Sequence, residues 1–212
     1  MKLLALGDIH GRIEGLREIL EKAGKVDLIV VTGDFTSFGS REKGEEVLNE
    51  LNSFNSEIIA VPGNLDSKEV MDLLEEKGIS LHGKSKSIEG YEFVGFGGAS
   101  NAIGEIIFLE QQILEGLRNL MKEKERVILV THSPPKGTSL DRTHLGEHIG
   151  SEAVKRVIEE FQPLLVLCGH AHESGSEEMI GRSRCINVGA VKEGRAALIE
   201  LNKEIKVERI EV

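Results

Sequence analysis

Five apolar stretches of this chain each run out into residues of the kind that bind metal ions: Asp8-x-His10, Asp34, Asn64, His132 and His170-x-His172. Side chains two positions apart on an extended or turning backbone project to the same side, so Asp8 and His10 can grip one ion together. A carboxylate oxygen beside an imidazole nitrogen suits divalent manganese, iron, nickel or zinc better than calcium, which takes all-oxygen cages. Seven ligand-type side chains suffice for two ions held roughly 3.5–4 Å apart, provided a carboxylate bridges them, and Asp34 is the natural bridge. Each residue alone has a plainer use, as a turn or cap for Asp34 and Asn64 and as a core histidine for His132. Their shared position directly after apolar runs, in four of the five cases next to a glycine, makes them a constellation.

The elements that must position these residues follow from hydrophobic spacing. Leu3–Leu6 reads as a strand, and Ile13, Leu16, Ile19 and Leu20 recur at helical spacing until Gly24. Val26–Val31 and Ile58–Val61 are short, apolar runs typical of buried parallel strands. Between them a helix is expected from Arg41 to Phe54, and after them one capped by Ser67 and running through Leu74. This is the rhythm of βαβ units with right-handed crossovers, which place strand C-termini on one edge, where ligand sites of open α/β sheets form.

Further on, Ser87–Glu89 and Tyr91–Phe96 alternate as short strands, and residues 101–108 read as a loop. A helix from Glu110 to Glu123 precedes the strand Arg126–Val130. A polar loop carrying Lys136, Asp141, Arg142, His144 and His148 leads to a Ser151-capped helix through Phe161 and the strand Pro163–Cys168. The tail, residues 177–212, alternates like an antiparallel meander. The pattern predicts one mixed and one mostly antiparallel sheet with helices outside, a layered α/β sandwich.

A chain of 212 residues can be filled by a single domain spanning 1–212. With 26 Lys+Arg against 36 Asp+Glu the net charge is −10, which supplies no global basic field for duplex nucleic acid or an anionic membrane. No apolar run approaches the ~18 residues that span a bilayer, and the first strand begins at Lys2, so a soluble, cytoplasmic protein is expected. Cys168 and Cys185 lie inside apolar runs and read as buried thiols of a reducing compartment. Phe35, Phe38 and Phe108 are either core residues or exposed apolar contacts that would suit a homodimer.

Taken in order, Gly7-Asp8-x-His10, Gly33-Asp34, Gly63-Asn64-x-Asp66, Thr131-His132 and Gly169-His170-x-His172 resemble the motifs of the calcineurin-like metallophosphoesterase superfamily, over nearly the whole chain. The resemblance implies a four-layer α/β/β/α sandwich of two mixed sheets and a dinuclear centre at the strand C-terminal edge. Asp8, His10 and His172 would hold one metal, and Asn64, His132 and His170 the other, with Asp34 shared. It further implies hydrolysis of a small phosphate ester by a metal-bridging hydroxide, with two divalent ions, manganese first and iron, nickel or zinc after it.

At one position the chain departs from that pattern. Many members carry a histidine between the asparagine and aspartate of the third motif, near the leaving group, and here it is Leu65. Leucine donates no proton, so a poor leaving group loses acid assistance worth about 10²–10⁴-fold. This favours phosphodiesters and aryl esters over the substrates of a phosphomonoesterase or protein phosphatase. His148 or His144 could replace the missing donor, which makes Asp34, Asn64, His132 and His148 the residues expected to carry the chemistry. Asp66 could order Asn64 through a contact or merely start a helix. Arg12, Lys136 and Arg142 lie near ligands in sequence and could steady phosphate. The competing readings are a metal-binding scaffold without turnover and a nuclease.

Overall fold

The computed structural model describes residues 1–54, 56–202 and 204–212. Three apolar runs, β1 (Lys2–Leu6), β2 (Leu28–Val31) and β3 (Glu57–Ala60), pair in parallel in the order β1-β2-β3. The crossovers are α1 (Ile13–Ala23) and α2 (Arg41–Asn52), and α3 (Lys68–Glu76) follows β3. The second sheet begins with the antiparallel pair β4 (Lys84–Ile88) and β5 (Tyr91–Phe96). It continues in parallel through β6 (Val127–Thr131) and β7 (Leu165–Cys168), with α4 (Glu110–Met121) and α5 (Glu152–Phe161) as crossovers.

The strands are apolar on both faces because both faces are covered. Leu3, Ala5, Leu28, Val30, Ile59 and Val61 point at the second sheet, meeting Phe93, Ile128, Val130, Leu165 and Leu167. Their neighbours Leu4, Leu6, Ile29 and Val31 point the other way, onto Leu16, Ile19, Val47, Leu51, Val70 and Leu73 of the helices. Val94, Leu129 and Val166 of the second sheet pack against Ile113, Leu117, Val154 and Val157 of α4 and α5. Helix, sheet, sheet and helix therefore stack in four layers. Ser67 and Ser151 cap α3 and α5 by accepting from Val70 N and Val154 N, as their positions predict.

The tail departs from the expected meander. β8 (Glu177–Ile180) and β9 (Ser183–Asn187) form a hairpin in the second sheet, where β9 lies parallel to β7. β10 (Arg195–Leu201) and β11 (Ile205–Glu211) form another hairpin in the first sheet, with β10 antiparallel to β1. Both sheets are mixed, in the orders β11-β10-β1-β2-β3 and β4-β5-β6-β7-β9-β8. Alternation records only which side chains are buried, and the same pattern serves either sheet. The switch is made by the segment after β9, whose Val191 N and Lys192 N donate to the carbonyls of Gly7 and Asp8. α4 also stops earlier than predicted, because Lys122 takes an extended conformation.

Of the three phenylalanines left between core and surface by the sequence, only Phe38 is exposed. Phe35 is fully buried in the core beside α2, and Phe108 stacks on His82 and meets the edge of Phe96. Among the described residues no helix is long and apolar enough to cross a membrane.

Candidate metal centre

The loops that leave β1, β2, β3, β6 and β7 bring all seven predicted ligand residues to one edge of the two sheets. Four of them, Asp8, His10, Asp34 and His170, sit in the left-handed region, with φ of 53°, 50°, 52° and 69°. For residues with a β-carbon this conformation is uncommon and is kept only where the surroundings enforce it. Here the enforcement is a backbone lattice: Asp8 N and His10 N donate to the carbonyls of Gly33 and Asp34, and His170 N donates to Asp8 Oδ2.

Asp8, His10, Asp34 and His172 each present a ligand atom to the same space, all within 4.8 Å of one another. His172 Nε2 lies 3.1 Å from both His10 Nε2 and Asp8 Oδ1. Ser37 Oγ, 2.7 Å from His10 Nδ1, fixes that ring with Nε2 inward. Asn64, His132 and His170 gather beside this group. His132 Nε2 is 2.8 Å from Asn64 Oδ1, and the rings of His132 and His170 meet edge to face at 5.0 Å. Asp34 lies between the two sets: its Oδ1 accepts from Leu65 N, while Oδ2 stands 3.8 Å from His10 Nε2 and 3.7 Å from His132 Nε2.

The donor set fits a cation on chemical grounds. His132 Nδ1 faces the carbonyl of Thr32 at 2.9 Å, an acceptor only, so the ring proton is on Nδ1 and Nε2 offers a lone pair. Asn64 Nδ2 donates to Ile103 O at 2.6 Å, which turns the other acceptor, Oδ1, toward that same Nε2. Two acceptors therefore converge with no hydrogen to share between them, an arrangement that a positive ion relieves. Burial holds His10 and His170 neutral by lowering them to about 4 and about 3, and lowers His132 as well. For His172 burial works in the same direction, but the Asp8 carboxylate prevails and raises it. Burial, with Asp8 and Asp66 nearby, raises Asp34 well above the ordinary carboxylate range. A cation beside Asp34 would reverse that last effect and keep its carboxylate ionised.

Asp66 acts differently from the expected contact with Asn64. Its buried carboxylate accepts from Gly63 N, Phe35 N and Thr36 N at 2.9, 3.2 and 2.9 Å, tying the loop after β2 to the loop after β3. Leu65 stands at the rim of a cavity that also contains Asn64, Lys136, His148 and His170. His148 thus reaches the neighbourhood of the centre, whereas His144 points to solvent near Glu173. Arg142 is exposed, and Arg12 lines a separate cleft with Lys192.

Sequence reasoning missed Asn187. Its side-chain amide donates to the carbonyls of Leu140, Gly169 and Ala171, and its Oδ1 accepts from Gly189 N, so it carries the loop that presents His170 and His172. The signal was present, since Cys185-Ile186-Asn187-Val188-Gly189 also ends an apolar run in a polar residue near glycine. Ser37 gave none, because nothing local marks a hydroxyl that will meet His10.

The chain is similar to known proteins in both sequence and fold. The model of the calcineurin-like phosphoesterase family matches residues 1–174. An uncharacterized protein of Methanocaldococcus jannaschii is 36% identical over 198 residues, 88% of this chain and 87% of that one. A probable glycerophosphodiester phosphodiesterase of Arcobacter nitrofigilis is 24% identical, over 87% of this chain and 69% of that protein. A crystal structure from Thermus thermophilus superposes with a TM-score of 0.78 at 21% identity, over 98% of this chain and 97% of that one, a likeness of fold. With a family match across four-fifths of its length, and the family's motif residues gathered at one sheet edge, the chain belongs to the calcineurin-like phosphoesterases.

Proposed function

We propose that this chain is a dinuclear metal-dependent phosphodiesterase acting on a small phosphate ester. The observation that carries the reading is Asp34 Oδ2, placed at nearly equal distance from His10 Nε2 and His132 Nε2. Asp8, His10 and His172 would hold one ion, Asn64, His132 and His170 the second, with Asp34 shared. Mixed oxygen and nitrogen donors favour manganese, with iron, nickel or zinc as substitutes. When bound, such a pair supplies an activated water and neutralises charge on the phosphoryl oxygens.

The chain's own residues prepare the site for that chemistry. Leu65 N fixes one oxygen of Asp34 so that the other faces inward, Thr32 O fixes the tautomer of His132, and Ser37 Oγ fixes the orientation of the His10 ring. Leu65 itself offers no proton to a leaving group, so any acid assistance must come from a residue outside the third motif. The similarity to a protein named as a glycerophosphodiester phosphodiesterase supports diesters as the substrate class. A net charge of −10 opposes duplex nucleic acid as substrate.

The test is turnover of bis(p-nitrophenyl) phosphate and p-nitrophenyl phosphate by manganese-loaded protein, wild type and Asp34→Asn. Faster hydrolysis of the diester, lost by at least about 100-fold in the variant through removal of the bridge, is the expected result. Metal binding without turnover would make the chain a scaffold, and preference for the monoester would make it a phosphomonoesterase.

A further inference from the structure

We infer that His148, held by Asp141, is the proton donor to the leaving group of the ester, taking the place that Leu65 vacates in the third motif. The inference rests on the phosphodiesterase reading of the metal centre and adds to it the group that departs and the residue that serves it.

A cavity of about 490 Å³ opens beside the second half of the centre, lined by Asn64, Leu65, Ile103, Lys136, His148 and His170 among others. That volume is in the range that holds an organic ligand, and Leu65 and Ile103 give it an apolar wall. Because Asn64 and His170 belong both to this cavity and to the centre, an ester whose phosphoryl group lies at the centre extends one of its arms here. Lys136 and His148 are the polar side chains that face that arm from the loop after β6.

His148 is exposed at the cavity and is held from beneath by the buried Asp141. Its Nδ1 lies 2.7 Å from Asp141 Oδ1. Asp141 is fully buried, and its two oxygens also accept from Thr138 N at 3.0 Å, Gly137 N at 3.1 Å and Gly150 N at 3.0 Å. Glu110 braces the two walls by accepting from Ser100 Oγ on one side and from Ser151 Oγ and Ala153 N on the other. A carboxylate anchored by three backbone donors fixes the imidazole edge-on, in the relation that a buried aspartate has to the histidine of a catalytic triad. With Nδ1 engaged, Nε2 is the nitrogen left for the cavity.

The proposed step balances as follows. The oxygen of water forms the new bond to phosphorus, and the bond from phosphorus to the leaving oxygen breaks with its electron pair on that oxygen. The imidazolium of His148 gives up its Nε2 proton there, releasing a neutral alcohol. The proton shed by the water restores the imidazolium through solvent. A histidine between asparagine and aspartate would protonate the leaving group from the third motif, and here the same proton comes from the opposite wall of the cavity.

Two methyl diesters with leaving groups of nearly the same shape test this: methyl p-nitrophenyl phosphate, whose phenolate departs unaided, and methyl p-nitrobenzyl phosphate, whose alkoxide needs a proton. His148→Gln and His148→Ala should each slow release of p-nitrobenzyl alcohol by about 100-fold or more and slow p-nitrophenolate release much less, so that the ratio of the two rates falls by at least about tenfold. In the metal-free protein, millimolar p-nitrobenzyl alcohol should shift the ring resonances of His148. Equal loss on both esters, no loss on the benzyl ester, or unshifted resonances would overturn the assignment. A wild-type protein that cleaves the nitrophenyl ester but not the benzyl ester removes the donor alone. One that cleaves neither removes the phosphodiesterase reading and the donor with it.

Discussion

Gly63 leaves the space that Asp34 fills. A β-carbon on Gly63 would collide with Asp34 Oδ1 and with the Asp34 backbone nitrogen, although the two residues are 29 positions apart. The glycine is needed because the Asp34 carboxylate presses against bare backbone, and the same crowding holds at Gly33, where a β-carbon would lie 2.7 Å from His132 Nδ1. Gly63→Ala should therefore displace Asp34 and weaken manganese affinity by at least about tenfold, equivalent to ~1.4 kcal/mol. Calorimetric titration of metal into the folded variant measures this, and unchanged affinity would mean that Asp34 is not a ligand.

Metal should stabilise the fold strongly, since the seven side chains proposed as ligands come from five loops and assemble only in the native state. At free manganese 100 times its dissociation constant the gain is about 2.7 kcal/mol, which for a chain of this length raises Tm by roughly 5–10 °C. Chelation should return the melting curve to its starting point. A curve indifferent to metal would contradict the convergence of acceptors around His132 and Asn64.

The buried carboxylate of Asp66 holds three backbone N–H groups from two loops. Asp66→Asn puts an amide NH₂ against these donors, and loss of charge-assisted bonds of this kind costs about 1.5–3 kcal/mol. Urea denaturation should show that loss together with reduced metal affinity, because the loop that carries Asp34 is the one released.

Acid should act on the metal-free fold through its depressed histidines. His170 falls from 6.5 in the unfolded chain to about 3 in the fold, by burial first and then by the neighbouring His132. The unfolded chain therefore binds the extra proton between these limits, and stability from this group is lost as pH falls from 6.5 toward 3. His10, lowered to about 4, acts in the same sense, whereas the raised Asp34 acts in the opposite one. Comparison with His170→Asn isolates the group: the wild type should lose stability relative to the variant as pH drops through that window in urea melts without metal. A constant difference would show His170 to be ordinary.

Much of this protein was determined by the sequence alone. Buried parallel strands have to be apolar on both faces, so β1, β2, β3, β6 and β7 stood out as runs of Leu, Ile and Val, and each run ended where its backbone reached the sheet edge. The candidate ligand residues stood out because the chemistry would require particular types, aspartate, asparagine and histidine, immediately after those ends. Tertiary structure decided what local pattern does not encode. β9 lies beside β7, and β10 beside β1, because of which edges remained open, while their alternation would have suited either sheet. Asp141 meets His148, Ser37 meets His10 and Asn187 holds the last histidine loop through contacts between segments whose spacing carries no mark of them. Strand identity is a property of a few neighbouring residues, and a shared polar contact is a property of the folded chain, which is why the first was written in the sequence and the second appeared only when the sheets were closed against each other.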